Sequence, residues 1–563
     1  MIEQTKFGVL LVLFFGLFLF ATSALSQNPT VGLLLNTPEA FNGYTLFIGG
    51  QKSTYLVNNC GELINKWESP FSAGSTAYLM PNGNLVRAIR IGSTNFQGGG
   101  IGGGVEIVDW QGNLVWNYEY YENSSHHQHH DIEPLPNGNI LILAWGYVDG
   151  PTAFINGREN DGSVWPTQIV EVEPLGIGEA NIVWQWTVWD HIIQDIDSSR
   201  LNYGNVFEHP ELVNANLGGG GFQGSLRGAD WLHCNSIEYI EEHDLILLSS
   251  KYLNEVFIID HSTSTEEAAS HTGGNYGKGG DLLYRWGNPG NYKRGNPSDR
   301  KIRGQHDAIW LPKTDSSAAQ IMVVNNGNKG TVDAWTPPVT LDGNFFINQF
   351  QPFGPADFSW SHNAEIRSAV GCSARQMPNG NILYCDAQTG LIEEVTVDFE
   401  KVWQYQNPVN IIGPVDQGTD TNDGSFGGFG SFRAEKYAPN YLDTTLNLIT
   451  QGVVELLPYE NTCSLFVAAA IDSMLIDSML LDNIYEVDDF EIEIYPNPAK
   501  SWLTISSSYK HQFDWLTISS INGQAFIEQA FTPKVDVAKL KPGLYVLSLV
   551  GSQSSIARKV MIN

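Results

Sequence analysis

Three histidines stand at matching points of a repeated pattern. His130 precedes residues 131–135 and a returning apolar run at 140–143, His233 precedes 237–240 and 245–248, and His306 precedes 308–311 and 321–324. Counting back the same distance from the turn in other copies of the pattern gives Ser75 and Cys372, so the scaffold does not itself demand histidine there. Two polar residues follow the returning runs: Lys251 after 245–250 and Asn325 after 321–324. The second strand of a hairpin returns to the side where the first began, which puts Lys251 near His233 and Asn325 near His306. Neutral imidazoles beside a cation suit transfer of a group whose negative charge is spread over several oxygens. One imidazole attacks, while the others and the cation hold the oxygens. Sulfuryl transfer has this character, by analogy with the loose transition state of phosphoryl transfer.

The elements that must position these residues are short β runs. Pro-Asn-Gly-Asn recurs at 81–84, 136–139 and 378–381, each time between two apolar runs, and Asn-Gly supports the positive φ angles of a hairpin turn. Degenerate versions lie at 240–246 and 312–322. A second phrase pairs a turn with a run ending in tryptophan, at Trp67, Trp116, Trp184, Trp286 and Trp403. Two alternating hairpins describe a four-stranded propeller blade, and five or six blades fit between residues 42 and 408. The pattern predicts an all-β chain built on a six-bladed β-propeller; the uneven period leaves an array of β-sandwiches as the alternative. A residue just before the innermost strand of a blade sits at one mouth of the central channel, so the three histidines converge there. Glycine-rich stretches at 98–104 and 218–224 read as loops on this scaffold.

Of the 563 residues, 42% are hydrophobic, 12% aromatic and 16% charged, which fits a large packed core and excludes a disordered chain. The formal charge of -31 repels nucleic acid and anionic lipid, so an anionic substrate needs a local positive site. Lys6, the apolar run at 9–20 and the small residues Ala21, Ser23, Ala24 and Ser26 form a signal peptide cleaved after Ser26. That run is too short for stable membrane insertion. Among the five cysteines, Cys372 and Cys385 flank a Pro-Asn-Gly turn at nearly equal distance, which leaves a disulfide across that hairpin open.

The reading divides the chain into a leader (1–26), a propeller (27–450), an irregular linker (451–489) containing a five-residue repeat at 471–480, and a small β-sandwich-like module (490–563). In that module the opening Tyr495-Pro-Asn-Pro498, the Gly543-Leu-Tyr545 strand and the Lys559-Val560 tail resemble the C-terminal sorting domain of type IX secretion substrates. The resemblance implies the type IX machinery as a partner, passage through the periplasm to the cell surface or exterior, and frequent removal of the module.

The segments His129-His-Asp-Ile-Glu-Pro-Leu-Pro-Asn-Gly-Asn139, Asp230-Trp-Leu-His-Cys-Asn-Ser-Ile237, Gln305-His-Asp-Ala-Ile-Trp-Leu-Pro312 and Met377-Pro-Asn-Gly-Asn-Ile-Leu383 resemble the aryl-sulfate sulfotransferase family over most of residues 42–410. This resemblance implies a propeller that moves a sulfuryl group from a phenolic sulfate ester to a phenolic acceptor. It implies no cofactor and no 3′-phosphoadenosine 5′-phosphosulfate. By motif position His306 matches the histidine that becomes sulfated, and His130 and His233 match its supporting histidines. The family carries an arginine where this chain has Lys251, which keeps the charge but loses the planar fork. Two other readings stand beside it: a metal site in the histidine-rich run 126–131, and a non-catalytic surface propeller that binds glycans or proteins.

Overall fold

The computed structural model describes residues 29–456 apart from short stretches at 93–94, 160–161, 218–228, 314–317, 328–329, 340–343 and 422–427. It also describes Cys463, Leu465 and residues 492–562 apart from 496–498, 508–514, 521–524 and 551–554. The expected leader, the glycine-rich stretch at 218–224 and the repeat at 471–480 lie outside the described residues. The chain divides into two compact units, Met1–Ala468 and Ala469–Asn563.

The first unit is a β-propeller. Its described residues form six antiparallel sheets of four or five strands, beside one two-stranded pair. In chain order the innermost strands of the second to sixth sheets are Ser72–Leu79, His126–Pro134, Cys234–Ile240, His306–Leu311 and Ser373–Gln376. The third sheet carries an extra two-residue strand, Tyr121–Glu122, beside its innermost one. The first sheet takes its innermost strand from much later in the chain: Ala434–Tyr437 pairs with Tyr44–Gly49. Gly32–Asn36 joins the outer edge of the sixth sheet, against Lys401–Gln406. Strands from both ends of this unit thus complete the first and sixth sheets, and the ring of blades leaves only short sheet edges at its rim.

Each neighbouring pair of sheets shares its own buried cluster. One example is Val86, Trp116, Ile132 and Ile142 between the second and third sheets; another is Phe47, Tyr55, Leu383 and Trp403 between the sixth and the first. The tryptophan-ended runs are outermost strands, except that of Trp403, which lies one strand inside Gly32–Asn36, and their indole N–H groups reach the next sheet. Trp67 donates to the Asp109 carbonyl, Trp116 to Glu179, Trp286 to Pro355 and Trp403 to Asn59, all at 2.7–2.9 Å. A second circle of bonds runs through the innermost strands. Asp131 accepts from the Ile237 N–H, Ser236 from Ala308, Asp307 from Ala374 and Ser373 from Ala434. Arg433 crosses the channel with one Nη2 at 2.9 Å from both Asp131 Oδ2 and Asp307 Oδ1. Removing it would leave the buried Asp131 carboxylate without a cation, while Asp307 keeps Arg375; breaking a buried pair from one side typically costs roughly 3–5 kcal/mol.

The sequence leaves the cysteine pairing open, and the structure gives it. Cys60 and Cys463 form a disulfide across 403 residues, while Cys234, Cys372 and Cys385 are free and buried. Across the 372–385 hairpin it is Ser373 that pairs with Cys385, so the two thiols are out of register. The Cys372 sulfur instead receives the Ala387 N–H, and that of Cys385 faces the Ser431 carbonyl.

Between the third and fourth sheets His261 lies between two carboxylates, with Nδ1 at 2.7 Å from Asp244 and Nε2 at 3.0 Å from Glu171. Burial alone would lower its pKa, but the two hydrogen bonds outweigh it and raise it to about 9. The stabilisation from this raised group is fully present below the unfolded value of roughly 6.5 and is lost as pH rises through about 9. Chemical denaturation of the wild type should therefore show falling stability between these pH values, and His261→Gln should flatten that slope.

The second unit has a three-stranded sheet (Ile492–Tyr495, Trp502–Ser507, Lys534–Asp536) and a four-stranded sheet (Ala525–Ala530, Trp515–Ser520, Gly543–Val550, Ser555–Ile562). Alternate residues such as Leu503, Ile505, Leu516, Ile518, Leu547 and Leu549 form its core.

Candidate active site

The innermost strands of the third, fourth and fifth sheets each break register near a histidine, between Gln128 and Ile132, Cys234 and Ser236, and His306 and Ile309. Such bulges turn side chains out of the pleat. His130 and His233 adopt φ angles of 51° and 49°, and Asp307 one of 55°. This left-handed backbone is costly for residues other than glycine and concentrates at functional sites. The three rings are buried, with exposures of 3%, 4% and 1% for His130, His233 and His306. His130 and His233 meet edge to face with centroids 4.7 Å apart, and Phe432 lies 5.9 Å from His130 and 6.1 Å from His306.

Each imidazole is held differently. His306 Nδ1 lies 2.8 Å from Asn326 Oδ1. The Asn326 amide nitrogen donates to the Ser368 and Gly371 carbonyls, which fixes its oxygen as the acceptor. His306 therefore carries its proton on Nδ1 and presents a lone pair on Nε2. Burial, then Lys251, pushes its pKa well below the usual histidine range, so the ring is neutral. His233 Nδ1 lies 2.5 Å from Asp230 Oδ2, and the other oxygen of Asp230 accepts the Trp145 indole N–H at 3.1 Å. His130 Nδ1 faces His129 Nδ1 at 2.8 Å, and His129 stacks on Trp145 at 4.0 Å. Burial, then the neighbouring His233, keeps both His129 and His130 neutral.

Lys251 follows the strand Leu245–Ser250 and its backbone N–H donates to the His233 carbonyl. Its ammonium lies 6.0 Å from the centre of the Tyr252 ring, and that ring stacks on His233 at 4.6 Å. Burial lowers its pKa, while Asp230 works in the opposite direction. Among the described residues Lys251 forms no ion pair within 4 Å, in contrast to Arg375 and Arg433 in the channel.

The glycine-rich stretch at 98–104 packs directly over the imidazoles. The Gly100 carbonyl accepts the His130 N–H at 2.7 Å, and a Cβ on Gly100 would fall 2.2 Å from His130 Nε2. Gly100 has φ +72°, so only glycine satisfies both the backbone and the space.

The opposite mouth of the channel has another character. A cavity of about 1290 Å³ opens there among the Pro-Asn-Gly turns, lined by Glu133, Glu238, Glu241 and Glu435 with Arg375. Burial pushes the Glu238 carboxyl up to about 8. Burial thus favours the uncharged carboxyl of Glu238 at neutral pH, beside the Arg375 guanidinium, whereas Lys251 at the histidine end has no ion-pair partner within 4 Å among the described residues.

The structure thus brings His130, His233, His306 and Lys251 to one mouth. Asn325 is not among them. Its amide bonds Asp333 Oδ2 at 2.7 Å and accepts the Arg303 N–H, both inside the scaffold, and its neighbour Asn326 is the residue that holds His306. In the histidine-rich run, His126 stacks on Tyr120 and His127 bonds the Gly102 carbonyl, so the run does not gather around one point. Asp230, Asn326, Tyr252 and Phe432 were not singled out from the sequence. Asp230 had a signal, three residues before His233 in the same short motif; Phe432, beyond the sixth sheet, had none.

Residues 78–408 match the arylsulfotransferase (ASST) family. The chain belongs to the arylsulfotransferase family. Residues 493–563 match the secretion system C-terminal sorting domain, so this arylsulfotransferase-like protein carries an export tail of the type IX kind. No curated protein matches the chain. Among solved structures, a protein of unknown function from Bacteroides caccae is 12% identical, covering 65% of this chain and 94% of its own at a TM-score of 0.35. The periplasmic gluconolactonase of Pseudomonas aeruginosa is 10% identical, with coverage of 64% and 95% and a TM-score of 0.34. Virginiamycin B lyase from Staphylococcus aureus is also 10% identical, with coverage of 68% and 88% and a TM-score of 0.30. The arylsulfotransferase match contains all three histidines, Lys251 and Asn326, and it ends before Phe432 and the closing strand Ala434–Tyr437.

Proposed function

We propose that this exported protein moves a sulfuryl group from a phenolic sulfate ester to a phenolic acceptor through a sulfohistidine at His306, without 3′-phosphoadenosine 5′-phosphosulfate. The observation that carries the reading is the fixed tautomer of His306, whose Nε2 lone pair is free beside a cation and two further imidazoles. The Nε2 lone pair attacks sulfur, the bond from sulfur to the aryl oxygen breaks, and the phenolate takes a proton from His233. The acceptor phenol then returns a proton to His233 as its oxygen attacks sulfur, and the bond from sulfur to nitrogen breaks. Asp230 supports the imidazolium form of His233 before the first step and after the second. Lys251 and His130 hold the sulfuryl oxygens where charge gathers in the transition state.

The test is to mix the purified protein with an aryl sulfate alone and follow phenol release. One equivalent of phenol per enzyme, a trapped sulfated histidine and parallel initial-rate lines with varied donor and acceptor are expected. Intersecting lines with no trapped intermediate would overturn the two-step route.

Lys251 is tested by two substitutions. Lys251→Arg keeps the charge and adds the fork that matches sulfuryl oxygens, so phenol release is retained or rises. Lys251→Ala removes an electrostatic contact of a kind typically worth about 10²- to 10³-fold in kcat. Equal losses in both variants would take Lys251 out of the site.

A further inference from the structure

Away from the channel, a second group of imidazoles meets where the outer edges of the third and fourth sheets adjoin. His191 ends the short 3-10 turn Val188–His191, directly after the outermost strand Ala180–Thr187 of the third sheet. Asp281 lies just before the outermost strand Tyr284–Trp286 of the fourth sheet. His271 lies in the connection that leads there, after the helix Thr265–Ala268. His191 is fully buried and Asp281 nearly so, while the His271 side chain is 59% exposed.

The two imidazoles converge on one carboxylate oxygen: Asp281 Oδ1 lies 2.7 Å from His191 Nδ1 and 2.7 Å from His271 Nδ1. His191 Nε2 lies 2.8 Å from the Ala268 carbonyl, which only accepts, so that nitrogen carries a hydrogen. In the neutral ring Nδ1 then turns a lone pair towards a carboxylate oxygen that also has only lone pairs. Two lone pairs at 2.7 Å need a positive centre between or beside them. A backbone carbonyl on the far nitrogen is also the support that orients metal-bound imidazoles. The Trp186 ring lies parallel to His191, and its indole N–H is tied to the Gly280 carbonyl, so the His191 ring is packed in place.

We infer that His191, His271 and Asp281 form a binding site for one first-row divalent cation of the zinc type, with solvent completing the coordination. The three donor atoms lie within 4.8 Å of one another. An ion roughly 2.0–2.2 Å from each can gather them after small rotations of the exposed His271 and of the Asp281 carboxylate, which widen the two 2.7 Å contacts. Two imidazole nitrogens with one carboxylate oxygen suit zinc, whereas magnesium and calcium prefer all-oxygen shells. The ion pins the connection between residues 260 and 284 to the neighbouring sheet. The site shares no residue with the channel cluster and stands independently of sulfuryl transfer.

The experiment uses the full chain stripped with a chelator, dialysed and titrated with zinc chloride by calorimetry, with thermal melts alongside and magnesium and calcium chloride in parallel. One zinc per chain and a melting temperature that rises with zinc concentration are expected, with no response to magnesium or calcium. His271→Ala alters an exposed side chain, so the fold persists while the bound zinc and the melting shift are lost. His126→Ala, in the competing histidine-rich run, keeps both. The inference falls if zinc does not bind, since a proton then bridges His191 and Asp281. It also falls if His271→Ala retains the ion, or if magnesium or calcium serves equally.

Discussion

Replacing His306 by Ala is expected to reduce phenol release from an aryl sulfate to background, a loss on the order of 10⁴-fold or more, as for other positioned nucleophiles. The protein should remain folded, because the strand His306–Leu311 is held by backbone pairing and by the Asp307 bonds to Ala374 and Arg433 rather than by the ring. Imidazole added to the His306→Ala protein should restore part of the phenol release by filling the vacated space with the same base. Asn326→Ala makes a graded companion. It leaves the nucleophile but removes the acceptor that fixes its proton on Nδ1, so both tautomers are populated and the rate falls by much less than in His306→Ala. Stopped assays on the two variants, with near-ultraviolet dichroism as the check on folding, decide the matter. An active His306→Ala protein would remove sulfohistidine from the mechanism.

What the sequence revealed of this site follows from hairpin geometry. A histidine just before an innermost strand and a residue just after its return strand must share one end of a sheet, which is why His233 and Lys251 were found together. The same rule missed by one residue in the fifth sheet. Asn325 is still in the ladder, opposite Thr331, and its side chain faces Asp333 within the sheet. Side chains alternate along a strand, so the next residue, Asn326, turns the other way and reaches His306. The hairpin at Pro378 left the cysteine pairing open for a related reason: both cysteines are near the turn, but Ser373 holds the position opposite Cys385.

Ring closure was less legible. Ala434–Tyr437 is four residues long and carries two charges, and its partner strand Tyr44–Gly49 lies almost 400 residues away by number, so no local pattern announces it. The Cys60–Cys463 bond has the same non-local character. The tryptophan phrase was visible as a repeat, while its purpose, an indole N–H donated to the next sheet, needed the three-dimensional structure.

Asp230→Asn should lower phenol release by about 10²- to 10³-fold, nearly as much as His233→Ala. The asparagine oxygen can still accept the Trp145 indole N–H, as Asp230 Oδ1 does at 3.1 Å. Its amide nitrogen then faces His233 Nδ1, where a carboxylate oxygen stood at 2.5 Å. That nitrogen donates, so Nδ1 must accept, and the proton of the neutral ring moves to Nε2. The anion that supported the imidazolium is gone as well. The ring keeps its place against Tyr252 but loses the ability to give a proton to the leaving phenolate and take it back from the acceptor. Because Asp230 acts through His233, the double variant Asp230→Asn/His233→Ala should be scarcely slower than His233→Ala alone. Donors with more acidic phenols need less protonation on leaving, so the loss in each variant should shrink as the leaving phenol becomes more acidic. A loss in Asp230→Asn that is the same for every leaving phenol, or that adds in full to that of His233→Ala, would show that Asp230 only supports the fold.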